Sequence, residues 1–319
     1  MVKRALVLAT ILALSIGSAI AAQTPEAPQA EIPGVLKAGT KVELVKDGFN
    51  GGEGPVASGD GGLYFTAIDD NRIHKVDRDG RTVSIWRENT NGTNGLFLLK
   101  DGRLLGAESG GKRIIAIAPG GAVTGLATAS GGRPLRSPND LIADGKGGIY
   151  FTDPAPRPAP NVAPMEPGNV HYMRANGEVL LIDSEIRRPN GLTVSLDGRT
   201  LYVGDTEGEY VYAFDIQPDG SARNKRQFVK LRDPEQGSLG LRSRADGMAL
   251  DSEGRVYVST AAGIQVIDAR GTHLGTIRLP AVARNLAFAG PDRRTLYLTA
   301  LNALYRVPAL SSGPAERAK

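Results

Sequence analysis

The stretch RPNGLTVSLDGRTLYVGDT, residues 188–206, contains the pattern that decides the fold. An Asn-Gly pair opens a short apolar strand, the sequence Leu-Asp-Gly reverses the chain, and a second strand, LYVGD, follows before the next turn. Apolar runs joined by Asp-Gly turns are typical of antiparallel β-hairpins. The stretch therefore predicts two paired strands that begin at an Asn-Gly junction.

The same pattern occurs six times along the chain. Each copy has a two-residue junction, an apolar strand, a polar turn and a second strand. The junctions are Glu53-Gly54, Asn94-Gly95, Asn139-Asp140, Asn190-Gly191, Asp246-Gly247 and Asn285-Leu286. Their spacing of roughly 40 to 55 residues is typical of four-stranded blades. The sequence predicts an all-β fold, a six-bladed β-propeller with four antiparallel strands per blade.

The last repeat supplies three strand-like runs, LAFA, TLYLTA and ALYRV, where the other repeats supply four. An alternating run, KVELV at residues 41–45, precedes the first junction. An N-terminal strand beside the last blade would close the ring and remove an exposed sheet edge. We therefore expect residues 41–45 to complete the sixth blade.

The N-terminus has the features of a signal peptide. Lys3 and Arg4 precede an apolar run over residues 5–16, and Ala-Ile-Ala at residues 19–21 resembles a cleavage site. We expect a signal peptide over 1–21, a flexible Pro- and Ala-rich lead-in over 22–40, the propeller over 41–310 and a disordered tail over 311–319. This organisation predicts a periplasmic or secreted protein. With no cysteine, the chain can form neither a disulfide nor a lipid-bearing N-terminal cysteine.

Composition limits the partners that the chain can have. The net charge is +4 and falls to +2 without Lys3 and Arg4. The basic residues form no stripe, so we expect no nucleic-acid partner. We also expect no membrane contact after signal cleavage and a monomer, because a propeller ring closes on itself.

The other motifs favour structural roles. His74, His171 and His273 lie within strand or turn patterns, and no G-x-S-x-G or Walker motif occurs. Asp153 and Asp205 end strands, where capping is a more common role than proton transfer. Residues 155–168 are rich in proline and must form a loop, either a lid over a pocket or surface decoration.

The junctions bring side-chain oxygens together. All innermost strands of a propeller run in the same direction, so the first residues of the six junctions share one rim of the channel: Glu53, Asn94, Asn139, Asn190, Asp246 and Asn285. Turn propensity explains part of this pattern, which leaves a solvated polar channel as one interpretation. A divalent cation is the other, because it would balance the carboxylates of Glu53 and Asp246. An all-oxygen set favours Ca²⁺, with Mg²⁺ or Mn²⁺ as alternatives, and favours Zn²⁺ least.

The chain resembles the gluconolactonase, senescence marker protein and luciferin-regenerating enzyme family over residues 41–307. The shared strings are GGEGP (51–55), NGL (94–96), SPNDLI (137–142), IYFTDP (149–154), RPNGL (188–192), LYVGDT (201–206), ADGMALD (245–251) and the run from residue 285 to 307. The resemblance implies that Glu53, Asn190 and Asp246 hold a calcium-type ion. It also implies that Asn139 faces the ion or the substrate, and it makes Asn94 a candidate for contact with substrate hydroxyls.

These observations favour an exported, metal-dependent hydrolase that opens aldonolactones. The ion would polarise the lactone carbonyl, and Asp246 would act as the catalytic base toward the attacking water. Two alternatives remain open at the same ion. One is a phosphotriesterase-like hydrolase with Asp246 as nucleophile, and the other is a non-catalytic ligand-binding propeller.

Overall fold

The described chain is built from β-strands alone. The computed structural model describes residues 29–157 and 165–315, and within these ranges it contains 28 strands and no helix. It follows that no helix there is long and apolar enough to cross a membrane. The predicted signal peptide, residues 22–28 of the lead-in, residues 158–164 of the loop and the last four residues lie outside the described residues.

Strand β1 (Glu43–Asp47) precedes the first three blades. Blade one contains β2 (Gly52–Ala57), β3 (Leu63–Ala67), β4 (Arg72–Val76) and β5 (Val83–Glu88). Blade two contains β6 (Thr93–Leu98), β7 (Leu104–Glu108), β8 (Arg113–Ile117) and β9 (Val123–Ala127). A small hairpin of β10 (Ala129–Ser130) and β11 (Arg133–Pro134) follows. Blade three contains β12 (Leu141–Ala143), β13 (Ile149–Asp153), β14 (Asn169–Met173) and β15 (Val179–Asp183).

Blades four to six follow the same plan. Blade four contains β16 (Pro189–Val194), β17 (Thr200–Asp205), β18 (Tyr210–Ile216) and β19 (Ala222–Lys230). A second small hairpin is formed by β20 (Glu235–Gly237) and β21 (Gly240–Arg242). Blade five contains β22 (Met248–Leu250), β23 (Val256–Thr260), β24 (Gly263–Ile267) and β25 (His273–Ile277). Blade six contains β26 (Ala283–Ala289), β27 (Thr295–Ala300) and β28 (Ala303–Pro308), with β1 as its fourth strand.

The predicted ring closure is confirmed. Strand β1 pairs antiparallel with β28, with Glu43 opposite Arg306, and the two side chains form an ion pair at 2.9 Å. The strand covers 43–47 rather than 41–45. In this register Lys41 would lie opposite Pro308, which has no amide hydrogen for a ladder hydrogen bond.

Burial follows the order of the strands within each blade. Innermost strands such as β2 and β16 are buried along their whole length, because they contact the innermost strands of both neighbouring blades. Outermost strands such as β5 are largely open to solvent. The apolar core therefore forms layers between adjacent blades, and its largest fully buried side chains are aromatic: Phe65, Tyr150, Phe151, Phe214, Tyr257 and Phe288.

Connections at one end of the ring carry the insertions. Successive strands alternate in direction, so links between blades and links from second to third strands lie on the end where the innermost strands begin. We call this end the junction face. The two small hairpins and the loop after β13 belong to it. As predicted, the described parts of that loop contain no strand.

The lead-in packs against blades five and six, and the tail lies at the end of the ring opposite the junction face. Val35 and Leu36 are fully buried in the core layer of blades five and six, although we expected a flexible lead-in through residue 40. The Gln29 side chain exchanges two hydrogen bonds with the Arg278 backbone, at 2.9 and 3.0 Å. The described start of the tail is also packed, since Ser311 is buried and lies 3.1 Å from the Tyr257 hydroxyl. Apolar side chains within a Pro- and Ala-rich composition account for the difference.

We predict that Leu36→Ala destabilises the protein by about 2–5 kcal/mol, because it leaves a cavity in the core layer of blades five and six. Leu44→Ala is the matched control, since Leu44 is 54% exposed and its truncation costs at most about 0.5 kcal/mol. Urea unfolding of both variants measures the difference. Equal losses would show that residues 29–40 do not belong to the folded ring.

Candidate metal centre and active site in the channel

Neighbouring blades meet at the junctions with almost no space between them. A Cβ added at Gly191 would lie 2.1 Å from the Asp246 carbonyl oxygen, and one added at Gly54 would lie 2.1 Å from the Asn94 carbonyl oxygen. The Thr66 hydroxyl also donates to the Asn94 carbonyl, at 3.0 Å. The glycines after the junction residues therefore allow close blade-to-blade contact beside the channel.

The sixth junction residue is Arg284, and the prediction of Asn285 at this position is wrong. Gly247 N donates to the Arg284 carbonyl at 2.7 Å, as Gly95 N donates to the Asn139 carbonyl at 2.8 Å. The Ser259 hydroxyl also donates to the Arg284 carbonyl, at 2.6 Å. These contacts place Arg284, not Asn285, in register with the other junction residues.

Asn285 instead takes the position that glycine holds in four blades. Its Nδ2 donates to Glu53 Oε2 at 3.2 Å, and its Oδ1 accepts from Leu286 N at 2.8 Å. Asp140 holds the same position in blade three, where its Oδ1 accepts from Leu141 N at 2.9 Å. The spacing of apolar residues in the sequence already indicated that Arg284 is the junction residue of blade six. Leu96, Leu141, Leu192 and Met248 each stand two residues after their junction residue, and Leu286 stands two after Arg284.

Glu53 and Asp246 are the two carboxylates among the junction residues, and the charge of Asp140 acts on both. Burial raises the pKa of Glu53, against the opposing effects of Arg284 and the Asn285 amide. Burial, and then the nearby charge of Glu53, raise the pKa of Asp246 well above its usual range. Both shifts show that the channel stabilises the two negative charges poorly.

Three side-chain oxygens of the ring are buried without a partner in the described part of the chain. They are Asn94 Oδ1, Asn190 Oδ1 and Asp246 Oδ1. All three are acceptors, and a buried acceptor without a partner costs about 1–3 kcal/mol. The three oxygens therefore lack a hydrogen-bond donor or a cation to pair with.

Asn190 is held so that its oxygen remains available. Its Nδ2 donates to Thr206 Oγ1 at 3.1 Å, and the Thr206 hydroxyl donates to the Ala245 carbonyl at 2.7 Å. Thr206 thus fixes the amide with its donor side engaged and its acceptor side free. The threonine lies in the quoted GDT string, but its positioning role could not be read from sequence.

The donor set fits a hard divalent cation. Carboxylate oxygens of Glu53 and Asp246 together with the Asn190 amide oxygen are ligands that Ca²⁺ accepts. Over the described residues there is no group of three or more His, Cys, Asp or Glu placed to hold a metal, so a soft-donor site has no support there. The unpartnered oxygens are the observation that makes a cation the better of the two sequence interpretations.

Asn139 lies on the same rim and is partly open to the channel. Its backbone is fixed by hydrogen bonds to Thr152 O and from Gly95 N. Its side chain makes no hydrogen bond to any described residue. The predicted set of Glu53, Asn94, Asn139, Asn190 and Asp246 is thus placed on one rim by the blade register, although its roles remain predictions.

Two arginines near Asp246 were missed by the sequence analysis. Arg188 and Arg284 both interact electrostatically with the Asp246 carboxylate, and Arg284 also interacts with Glu53. The side chain of Arg284 forms no hydrogen bond or ion pair with the described residues. Position relative to the junction was the only sequence signal for either residue.

Asp153 and Asp205 cap neighbouring backbone segments, as the sequence predicted. Asp153 accepts hydrogen bonds from the backbone N–H groups of Arg136 and Ser137, and Asp205 accepts from Arg188 N and Glu207 N. These caps are as expected. His171 is buried on strand β14, where its ring lies 5.0 Å from that of Phe151 and its Nε2 lies 3.7 Å from Asp153 Oδ2.

A separate cavity of about 230 Å³ lies between blades one and two. Its acid, Glu108, accepts from Asn91 at 2.6 Å and pairs with Arg113 at 3.0 Å. The polar groups here satisfy one another, so this cavity offers no reactive group.

Comparison with known proteins identifies relatives over most of the chain. The SMP-30/Gluconolactonase/LRE-like region family matches residues 51–302. A gluconolactonase of Zymomonas mobilis is 28% identical, covering 91% of this chain and 87% of its own length. A pentonolactonase of Haloferax volcanii is 30% identical, covering 78% of this chain and 80% of its own. The solved structure of a gluconolactonase from Xanthomonas campestris is 26% identical and superposes with a TM-score of 0.76, covering 89% of this chain and 95% of that one.

We predict that the metal-free protein loses stability as the pH rises above the ordinary carboxyl range. The folded state raises the pKa of Glu53 and Asp246, so the stability present below their unfolded values is lost as the pH rises through the folded values. Adding Ca²⁺ should reverse the loss, with about 2.7 kcal/mol of stabilisation at a hundredfold excess over Kd.

Thermal unfolding at several pH values, with chelator and with Ca²⁺, checks this. Asp246→Asn should weaken both the pH dependence and the calcium response, whereas Asp101→Asn, on an exposed turn, should keep both. A calcium response of full size in Asp246→Asn would contradict the assignment.

Proposed function

The chain belongs to the SMP-30/gluconolactonase/LRE-like family, and from this premise we propose that it is an exported, metal-dependent lactonase that opens aldonolactones. Support comes from the lactonase names of relatives that cover most of the chain. The observation that carries the metal dependence is the set of buried, unpartnered acceptor oxygens on the channel rim.

Glu53, Asn190 and Asp246 would hold the cation, with Asn139 beside them. Ca²⁺ fits this set best, and Mg²⁺, Mn²⁺ and Zn²⁺ are the other ions to test. When bound, the ion supplies Lewis acidity toward a lactone carbonyl oxygen. The chain's own residues supply the remaining functions.

Asp246 is the residue for proton transfer. A carboxylate can both bind an ion and accept a proton, and a bound cation would keep Asp246 ionised although burial raises its pKa in the metal-free channel. Its Oδ1 is buried without a partner among the described residues, so this oxygen would face the cation. The second carboxylate oxygen would then accept a proton from an attacking water.

Asn94 and Asn139 would bind the substrate. Amide groups on a channel rim can both donate to and accept from sugar hydroxyls. The Asn94 oxygen is buried without a partner and the Asn139 side chain is partly open, so each has bonding capacity left. Two such side chains from adjacent blades would orient a polyhydroxylated ring with its carbonyl toward Asp246.

Export rests on residues 1–21, whose composition is that of a signal peptide. We propose a periplasmic or secreted monomer that acts on a small molecule. Cleavage of this segment on export and a monomeric mass for the mature chain are the observations that would support this.

We predict that the purified mature protein hydrolyses aldonolactones, that EDTA abolishes the activity, and that added Ca²⁺ restores it. Proton release in a pH-stat, with spontaneous ring opening subtracted, measures the rate. A panel of 1,4- and 1,5-aldonolactones and the four candidate ions defines the substrate and the working metal. Hydrolysis that is unaffected by EDTA would overturn the metal dependence.

The Asp246→Asn variant tests the proposed base, and Asp101→Asn is its control. At saturating Ca²⁺ Asp246→Asn should lower kcat by roughly 10²–10⁴, the usual contribution of a positioned general base. Asp101→Asn should retain the rate. Full activity in Asp246→Asn would assign the proton transfer to another group, and absence of activity in the unmodified protein on every lactone would refute the proposed function.

A further inference from the structure

Arg188 keeps most of its hydrogen-bonding capacity. Among the described residues its guanidinium makes one hydrogen bond, from Nη1 to the Ala155 carbonyl at 3.0 Å. Burial, and then the charge of Arg157, lower the pKa of Arg188 to about 10, so it is still protonated at neutral pH. A guanidinium has five N–H donors, so Arg188 has donors to spare beside Asp246.

The other carboxylate near Arg188 is already engaged. Glu207 is buried, and its oxygens pair with Arg157 at 2.9 Å and Arg242 at 3.2 Å. Arg157 comes from the loop after β13, and Arg242 comes from the second small hairpin. Arg188 therefore forms no ion pair with either Glu207 or Asp246 among the described residues.

Arg284 reaches the same region from blade six. It lies between Asp246 of blade five and Glu53 of blade one and interacts with both charges, yet it makes no contact of 4 Å or less with a carboxylate among the described residues. A register shift between Ala283 and Asn285 interrupts strand β26 at this residue. In the other blades the corresponding position holds an acidic or amide side chain.

The charge balance of the channel decides what these arginines can bind. Glu53, Asp140 and Asp246 contribute three negative charges, and Arg188 and Arg284 contribute two positive ones. A divalent cation on the carboxylates would change the local sum from one negative to one positive. The loaded site would then attract an anion, and its guanidiniums would be the groups left to pair with it.

We propose that Arg188 and Arg284 bind a carboxylate of the substrate, so that the preferred lactone is one that carries an acidic group, such as the monolactone of a sugar diacid. This inference rests on the proposed lactonase function and specifies its substrate class. Arginine pairs carboxylates in a planar, two-point geometry that neutral hydroxyls do not reproduce. The two arginines are specificity residues, and Asp246 remains the proposed base.

A matched pair of substrates tests the proposal. D-Glucaro-1,4-lactone and D-glucono-1,4-lactone differ only in a carboxylate or a hydroxymethyl group at C6. The Ca²⁺-loaded protein should show a kcat/KM at least tenfold higher for the glucarolactone. Arg188→Gln and Arg284→Gln should each lower that value by roughly 10- to 100-fold, mainly through KM, as loss of a charge-assisted hydrogen bond predicts.

Arg103→Gln is the matched control, because Arg103 lies on an exposed turn at the other end of blade two and pairs there with Asp101. Arg103→Gln should leave kcat/KM for both lactones unchanged. The proposal is overturned if the intact protein does not prefer the charged lactone. It is equally overturned if the two arginine variants lower kcat/KM for both lactones by the same factor, because that result would indicate a structural role.

A failure of the proposed function can be told apart from a failure of this inference. If neither lactone is hydrolysed, the lactonase assignment fails, and calorimetric titration with the acyclic glucarate dianion in the presence of Ca²⁺ then decides. Binding that weakens in both arginine variants, but not in Arg103→Gln, supports the anion site. Absence of binding overturns it.

Discussion

Two buried carboxylates in one channel are the constraint on which the site depends. Glu53 and Asp246 lie on blades one and five, and closing the ring forces their charges together in a place where burial already disfavours both. The neighbouring side chains offset the two negative charges only in part. Asn285 donates one hydrogen bond to Glu53, and Arg284 lies near both acids without pairing with either. A resident cation would complete the balance, because the remaining oxygens are acceptors without partners.

The fold makes this arrangement possible by bringing distant residues into register. Each innermost strand is locked to the next blade by backbone and hydroxyl hydrogen bonds, such as Thr152 to the Asn190 carbonyl at 2.7 Å. The glycines beside the rim leave no space for a side chain between blades. Side chains at the junctions are therefore held by a rigid frame, whereas the insertions on the junction face vary the walls around them. This division suits an enzyme whose chemistry is held by the ring and whose specificity is set at the channel mouth.

Much of the architecture could be predicted from sequence, because turn chemistry is local. The Asp-Gly turns and the junction repeats give six blades, and the missing strand of the last blade points to the N-terminal strand that closes the ring. Packing at a distance could not be predicted. The burial of Val35 and Leu36 depends on blades five and six, and the register of Arg284 depends on a hydrogen bond from Gly247. For the same reason, the junction pattern predicted the candidate ligands but missed Thr206 and both arginines near Asp246.

The central claim is that the channel oxygens form a cation site, and locating the ion tests it most directly. A crystal of the protein loaded with Mn²⁺, measured at the manganese absorption edge, would show where the metal lies. The account predicts a single anomalous peak within bonding distance of Glu53, Asn190 and Asp246, with Arg284 turned away from the acids. A channel without a peak, in which the Arg284 guanidinium pairs with both carboxylates, would contradict it.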